Sequence, residues 1–115
     1  DSFENVTLKS RARLGAAMSQ IAAGETAAGE TALKALHADT AATSTLRAEA
    51  AFHLATLAFQ GGRADEAKQF LDEVTKIDAM GFWAQRAFGL RAQIEAAKPA
   101  AASTTPAIEF KPGGN

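Results

Sequence analysis

The sequence has no cysteine among its 115 residues, no tyrosine and a single tryptophan. The absence of cysteine excludes disulfide bonds, thiolate metal ligands and cysteine nucleophiles, and it is compatible with either a cytoplasmic or a periplasmic location. No apolar run approaches the roughly 18 residues that a membrane-spanning helix needs, and no signal peptide is recognisable. We therefore expect one globular domain whose core contains few large rings.

An excess of charge of one sign is also missing, because the formal net charge is −1. The chain lacks the strongly basic surface that is typical of nucleic-acid-binding proteins. His37 and His53 stand alone, without the spacing of a metal-ligand set, and residues 24–29 lack the lysine of a phosphate-binding loop. We expect no enzyme activity, no metal or other cofactor, no nucleic-acid partner and no membrane contact by this segment.

Alanine supplies much of the apolar content of the chain. Hydrophobic residues make up 47% of the sequence, and many of them are alanine. Alanine is the best helix former and allows neighbouring helices to approach closely. Helical periodicity, interrupted by glycine and by polar residues, predicts five helices followed by a tail. The predicted helices cover about residues 4–23, 25–38, 44–60, 64–78 and 80–97, and the last one ends before Pro99.

Each predicted helix has an apolar stripe that is expected to face the core. In the first helix the stripe consists of Leu8, Ala12, Gly15, Ala16 and Ser19. In the third helix it consists of Leu46, Ala50, Ala51, Leu54, Leu57 and Ala58. Small side chains at Ala55 and Ala67 allow the third and fourth helices to touch backbone to backbone. Larger side chains are expected to fill the seam between them, namely Leu54, Leu71 and Val74.

Residues 48–81 form the best-defined copy of a helix-pair repeat. The positions that match are Leu54-Ala55 in the first helix, Gly62 in the turn, and Ile77-Asp78 at the end of the second helix. On these residues the segment resembles a tetratricopeptide repeat. It departs from the family pattern at Ala51, where a large aromatic residue is usual, and at Ala79, where a proline is usual.

Two further copies of the repeat are expected, each with a small residue at the position equivalent to Ala55. Gly89 follows Ala55 at the usual period of the family, and Gly15 precedes it at a longer interval that the loop at 39–44 explains. The resemblance implies an all-α fold of antiparallel helix-pair repeats, a right-handed α-solenoid of the tetratricopeptide kind. Its expected parts are a first repeat at 4–38, a second repeat at 44–79 and a closing helix at 80–97, which together make a domain at 4–97, and a low-complexity tail at 98–115.

In the family, the first helices of the pairs line a concave groove that holds a peptide. Carried over to this sequence, the resemblance implies a groove lined by Lys9, Arg13, Gln20, Glu49, Phe52, His53, Thr56, Phe59, Arg86, Leu90 and Gln93. Phe52 is equally compatible with binding a partner and with packing between helices, whereas Phe59 and Trp83 favour packing. The basic residues on the first helices favour an acidic segment or a C-terminal carboxylate as the ligand. The chain is thus interpreted as a protein–protein interaction module.

An alternative interpretation is a structural subunit that self-assembles, either by stacking its repeats or by docking its tail into a neighbouring copy. The apolar anchors of the tail are Ile108 and Phe110. Two repeats are few for independent stability, because each repeat buries its faces only against its neighbours. A homo-oligomer is therefore the second hypothesis.

The first residue, Asp1, is not an initiator methionine, so the chain is expected to be a processed protein or a fragment of a longer one. Its degenerate, alanine-rich repeats and short tail also resemble bacterial periplasmic proteins of the ancillary-translocon and cell-division-coordinator type. That resemblance implies an exported, periplasmic or membrane-anchored protein rather than a cytoplasmic one.

Overall fold

The computed structural model describes the backbone of residues 2–102 and the side chains of residues 4–97. Within this part the chain forms five α-helices and no strand, which confirms the all-α prediction. The helices are α1 (Ser2–Ala22), α2 (Thr26–Ala38), α3 (Ser44–Gln60), α4 (Ala64–Ile77) and α5 (Phe82–Ala102). Each helix packs against the next, and α3 also contacts α1 and α5. Because the connecting loops are only three to five residues long, consecutive helices run antiparallel.

A local sequence signal places the start of α3 but not the end of α5. The Thr43 side chain accepts a hydrogen bond from the Leu46 N–H at 3.3 Å and so caps the start of α3. The last helix differs from the prediction, because its backbone continues through Pro99 to Ala102. Proline removes one intrahelical hydrogen bond, but alanines follow it, and alanine has the highest helix propensity. The predicted end of this helix before Pro99 is therefore wrong.

The central helix, α3, is buried on two faces. Leu46, Ala50 and Leu54 recur at a spacing of four residues and pack with α1 and α2. Ala51 and Ala55 lie on another face and pack with α4 and α5. The described side chains therefore form two buried clusters, and α3 contributes to both of them.

The two helix pairs repeat each other at one constant offset along the sequence. The equivalent positions, all buried, are Ser10 and Ala48, Leu14 and Phe52, Ala17 and Ala55, Gly29 and Ala67, Leu33 and Leu71, and Leu36 and Val74. A Cβ atom added at Gly29 would lie 2.8 Å from the Ala17 carbonyl oxygen, so α1 and α2 approach each other closely there. Ala55 and Ala67 are fully buried at the corresponding positions, as predicted for the second pair.

The turns inside the two pairs are equivalent as well. Gly24 and Gly62 are related by the same offset, and both have a positive φ, of 90° and 79°. The next N–H donates to the carbonyl five residues back in both turns, from Glu25 to Gln20 and from Arg63 to Ala58, at 2.8 Å. This is the Schellman arrangement, which favours glycine at the end of a helix.

The structure corrects the predicted face of α1. The predicted stripe is exposed throughout, and it comprises Leu8, Ala12, Gly15, Ala16 and Ser19. The buried face instead carries Leu14 and Ala17, because the close contact with α2 is made at Ala17. Nothing lies within 4 Å of a Cβ atom added at Gly15 or at Gly89, so neither glycine marks a close approach between helices like the one at Gly29.

Candidate functional site

A groove of about 380 Å³ lies between α3 and α5. Its lining residues are Phe52 and Thr56 from α3, and Arg86, Gly89, Leu90 and Gln93 from α5. Phe52 and Leu90 are each only 8% exposed and belong to the cluster formed by α3, α4 and α5, so they give the groove an apolar base. Arg86 and Gln93 are exposed. A space of this size accepts a few side chains rather than a folded domain.

Rings from the two helices pack together at one end of the groove. The Trp83 ring centroid lies 5.5 Å from that of Phe52 and 6.0 Å from that of His53. It also lies 5.0 Å from that of Phe82, at an interplanar angle of 86°. The backbone N–H of Trp83 donates to Asp78 Oδ2 at 3.3 Å, which fixes the first turn of α5. The contacts of Trp83 with Phe52 and His53 join α5 to α3, whereas its contact with Phe82 lies within α5.

Arg86 is held against this cluster by its guanidinium group. The Arg86 Cζ atom lies 5.1 Å from the Phe52 ring centroid, 5.4 Å from that of Trp83 and 5.6 Å from that of Phe82. Cation–π contacts at exposed sites contribute about 0.5–1 kcal/mol each. Among the described side chains, no carboxylate lies within 4.0 Å of the Arg86 guanidinium. The side chain is therefore oriented by rings while its charge is not neutralised by a neighbouring acid.

Two other arginines that the sequence places on the basic surface have acidic partners. Arg13 pairs with Asp39 at 2.6 Å, and Arg91 pairs with Asp72 at 2.5 Å. The hydrogen bond from Arg13, reinforced by one from the Ala41 N–H, holds the pKa of the Asp39 carboxyl below its usual value of 3.8. These arginines link elements of the fold and contribute less to the basic surface that the sequence predicts.

The acidic side chains of α4 also take part in ion pairs. Arg63, just before α4, pairs with Glu30 of α2 at 3.4 Å and with Glu66 at 3.0 Å. The hydrogen bond to Glu30 is the main cause that raises the pKa of Arg63. Glu73 pairs with Lys76 at 3.3 Å. Exposed pairs of this kind contribute little individually to stability. Because these acidic side chains already have basic partners, we assign them to the fold and not to a ligand site.

The structure brings together part of the predicted groove set. The predicted residues that line the groove are Phe52, Thr56, Arg86, Leu90 and Gln93. His53 and Glu49 are next to them, since His53 contacts Trp83 and its Nε2 atom lies 3.5 Å from Glu49 Oε2. Phe59 was assigned to the groove, although its ring favoured packing; it packs against the buried cluster of α3, α4 and α5 and is not among the residues that line the groove. Trp83 packs against the same cluster, as its ring favoured.

The predicted residues of α1 are separate from this groove. Lys9 is exposed, Arg13 is bound to Asp39, and Gln20 accepts the hydrogen bond of the turn through its backbone carbonyl. Their prediction depended on the alignment of Gly15 with Ala55, whereas in the structure Ala17 is the equivalent of Ala55. The predicted tail anchors, Ile108 and Phe110, lie outside the described residues.

Two features of the groove were not predicted. Gly89 lines it because the missing side chain leaves the space open. Phe82 contributes a ring to the cluster around Arg86. A signal for both exists in the sequence, since Phe82, Arg86, Gly89 and Gln93 are three or four residues apart and therefore share one face of α5.

Metal-binding and membrane-spanning features do not occur in the part of the chain that the structure describes. No group of three or more His, Cys, Asp or Glu side chains there is close enough to hold a metal ion. None of the helices described is both long and apolar enough to cross a lipid bilayer.

Comparison with known proteins finds no family model, no curated protein and no solved structure that matches this chain.

Proposed function

We propose that this chain is a tetratricopeptide-like repeat module that binds a short segment of another polypeptide in the groove between α3 and α5. The internal repeat supports the repeat assignment, because the two helix pairs share buried positions and turns at one constant offset. Small residues stand at the helix contacts of both pairs, Ala17 with Gly29 and Ala55 with Ala67.

One observation carries the binding function: the exposed Arg86 guanidinium is fixed over three rings at the edge of an apolar groove. Arginine offers five N–H donors in a planar arrangement that suits a carboxylate. Because contact with the rings restricts the side chain, less conformational entropy is lost when a ligand binds. The apolar base at Phe52 and Leu90 suits an aliphatic or aromatic side chain. The ligand that fits is a segment in which an acidic residue adjoins an apolar one.

Trp83 provides a direct test, because it is the only tryptophan and its ring contacts Phe52 at the groove. Random peptides displayed on phage are selected on the immobilised full chain, and the enriched peptides are synthesised. We expect them to combine acidic with apolar residues and to change the Trp83 fluorescence on titration.

The matched control compares two exposed arginines. Arg86→Gln removes the charge at the groove, and we expect it to weaken peptide binding at least about tenfold. Arg13→Gln removes a charge on α1 that pairs with Asp39, and we expect unchanged affinity. If Arg86→Gln leaves the peptide affinity unchanged, or if the selected peptides leave the Trp83 fluorescence unchanged, the ligand does not use this groove.

A further inference from the structure

We infer that the groove between α3 and α5 binds residues 107–111 of a second copy of this chain. The inference rests on the proposed function, because it names the segment that occupies the same groove. It makes the module a self-associating protein in which one copy holds the tail of another.

The chemistry of the tail matches that of the groove. In residues 103–115 the only acidic residue is Glu109, and the only large apolar residues are its two neighbours, Ile108 and Phe110. Glu109 fits the Arg86 guanidinium, which has no carboxylate partner among the described side chains. Ile108 or Phe110 fits the apolar base of the groove. The tail thus contains the combination of charge and apolar side chain that the groove accepts.

The length of the connecting chain favours the groove of another copy over that of the same copy. From Arg86 to Ala102, where α5 ends, the distance along the helix is about 24 Å. Glu109 follows Ala102 by seven residues, which span at most about 25 Å when fully extended. Within one copy the chain would have to reverse direction beside α5 and still be fully extended. A second copy imposes no such limit.

Charge reversal provides the test, with the full chain and with sedimentation velocity at increasing protein concentration. We expect the average mass of the unmodified chain to rise from 11.9 kDa to at least twice that value. Arg86→Glu and Glu109→Lys should each weaken association at least about tenfold, because each variant opposes like charges. Arg11→Glu, an exposed reversal on α1 away from the groove, should leave association unchanged.

Mixing the two variants in equal amounts distinguishes contact between copies from contact within one copy. In the mixture, the altered groove of Arg86→Glu meets the altered tail of Glu109→Lys, and the two unaltered partners also meet. We therefore expect the mixture to recover the mass of the unmodified chain at concentrations where each variant alone stays largely dissociated.

An unmodified chain that keeps the mass of one copy at all concentrations would overturn the inference, and so would a mixture that stays dissociated. The phage-selected peptides separate this failure from that of the proposed function. If they change the Trp83 fluorescence while the chain stays a single copy, the groove binds foreign segments and only the self-association is wrong. If they also have no effect, both proposals fail.

Discussion

At the scale of single residues, two glycines terminate the first helix of each pair in a conformation that other residues avoid. Gly24 and Gly62 have φ values of 90° and 79°, where a side chain contacts the following carbonyl oxygen. We expect Gly24→Ala and Gly62→Ala each to lower the free energy of unfolding by about 1 kcal/mol. Urea denaturation followed by circular dichroism measures this change.

Gly15 provides the control, because it lies inside α1, is exposed and leaves open space around an added Cβ atom. Gly15→Ala should raise the free energy of unfolding by about 0.5–1 kcal/mol, since alanine has the higher helix propensity. A loss at Gly15 as large as that at Gly24 would contradict the assignment of the turns.

Other single residues differ in how well their roles could be predicted. Packing was predictable for Phe59 and Trp83, because large rings at apolar positions of a helix usually contribute to a core. The stacking of Arg86 on three rings was not, because it depends on how α5 lies against α3. A sequence indicates which residues share a face of one helix, but not which face of a second helix they meet.

At the scale of the helices, a buried face was predicted correctly where large apolar side chains mark one side of the helix, and wrongly where they do not. On α3, the leucines Leu46 and Leu54 are separated by eight residues and indicate one face, and both are buried. On α1, Leu8 and Leu14 are six residues apart and lie on different faces. The alanines around them give no preference, so only contact with α2 determines which leucine is buried.

The two leucines of α1 permit a matched test of that correction. Leu14 is 5% exposed and Leu8 is 67% exposed. We expect Leu14→Ala to lower the free energy of unfolding by about 2–4 kcal/mol, because it leaves a cavity in the core. Leu8→Ala should change it by less than about 0.5 kcal/mol. Thermal and urea unfolding of both variants measure the difference. A larger decrease in the free energy of unfolding for Leu8→Ala than for Leu14→Ala would show that the face predicted from the sequence is the buried one.

At the scale of the whole molecule, the number and order of the helices could be predicted, whereas the sequence offset that relates the two helix pairs could not. Glycines and polar loops delimit the helices locally, so the five helices of residues 2–102 follow from the sequence alone. The alignment of one helix pair with the other depends on which small residues lie in the contact between helices. The sequence does not distinguish the exposed Gly15 from the buried Ala17, because both are small. The true offset, which pairs Ala17 with Ala55 and Gly24 with Gly62, emerges only from burial and hydrogen bonds.

We expect the two buried clusters to unfold together, because both contain residues of α3. Leu33 is fully buried in the cluster of α1, α2 and α3, and it does not belong to the cluster of α3, α4 and α5. Leu33→Ala should therefore destabilise the whole domain by about 2–5 kcal/mol, because α3 cannot keep its contacts with α4 when its contacts with α2 are lost. Native-state hydrogen exchange measures this helix by helix. We expect the slowest amides of α4 to lose as much protection as those of α2, whereas unchanged protection in α4 would show that the two clusters are independent folding units.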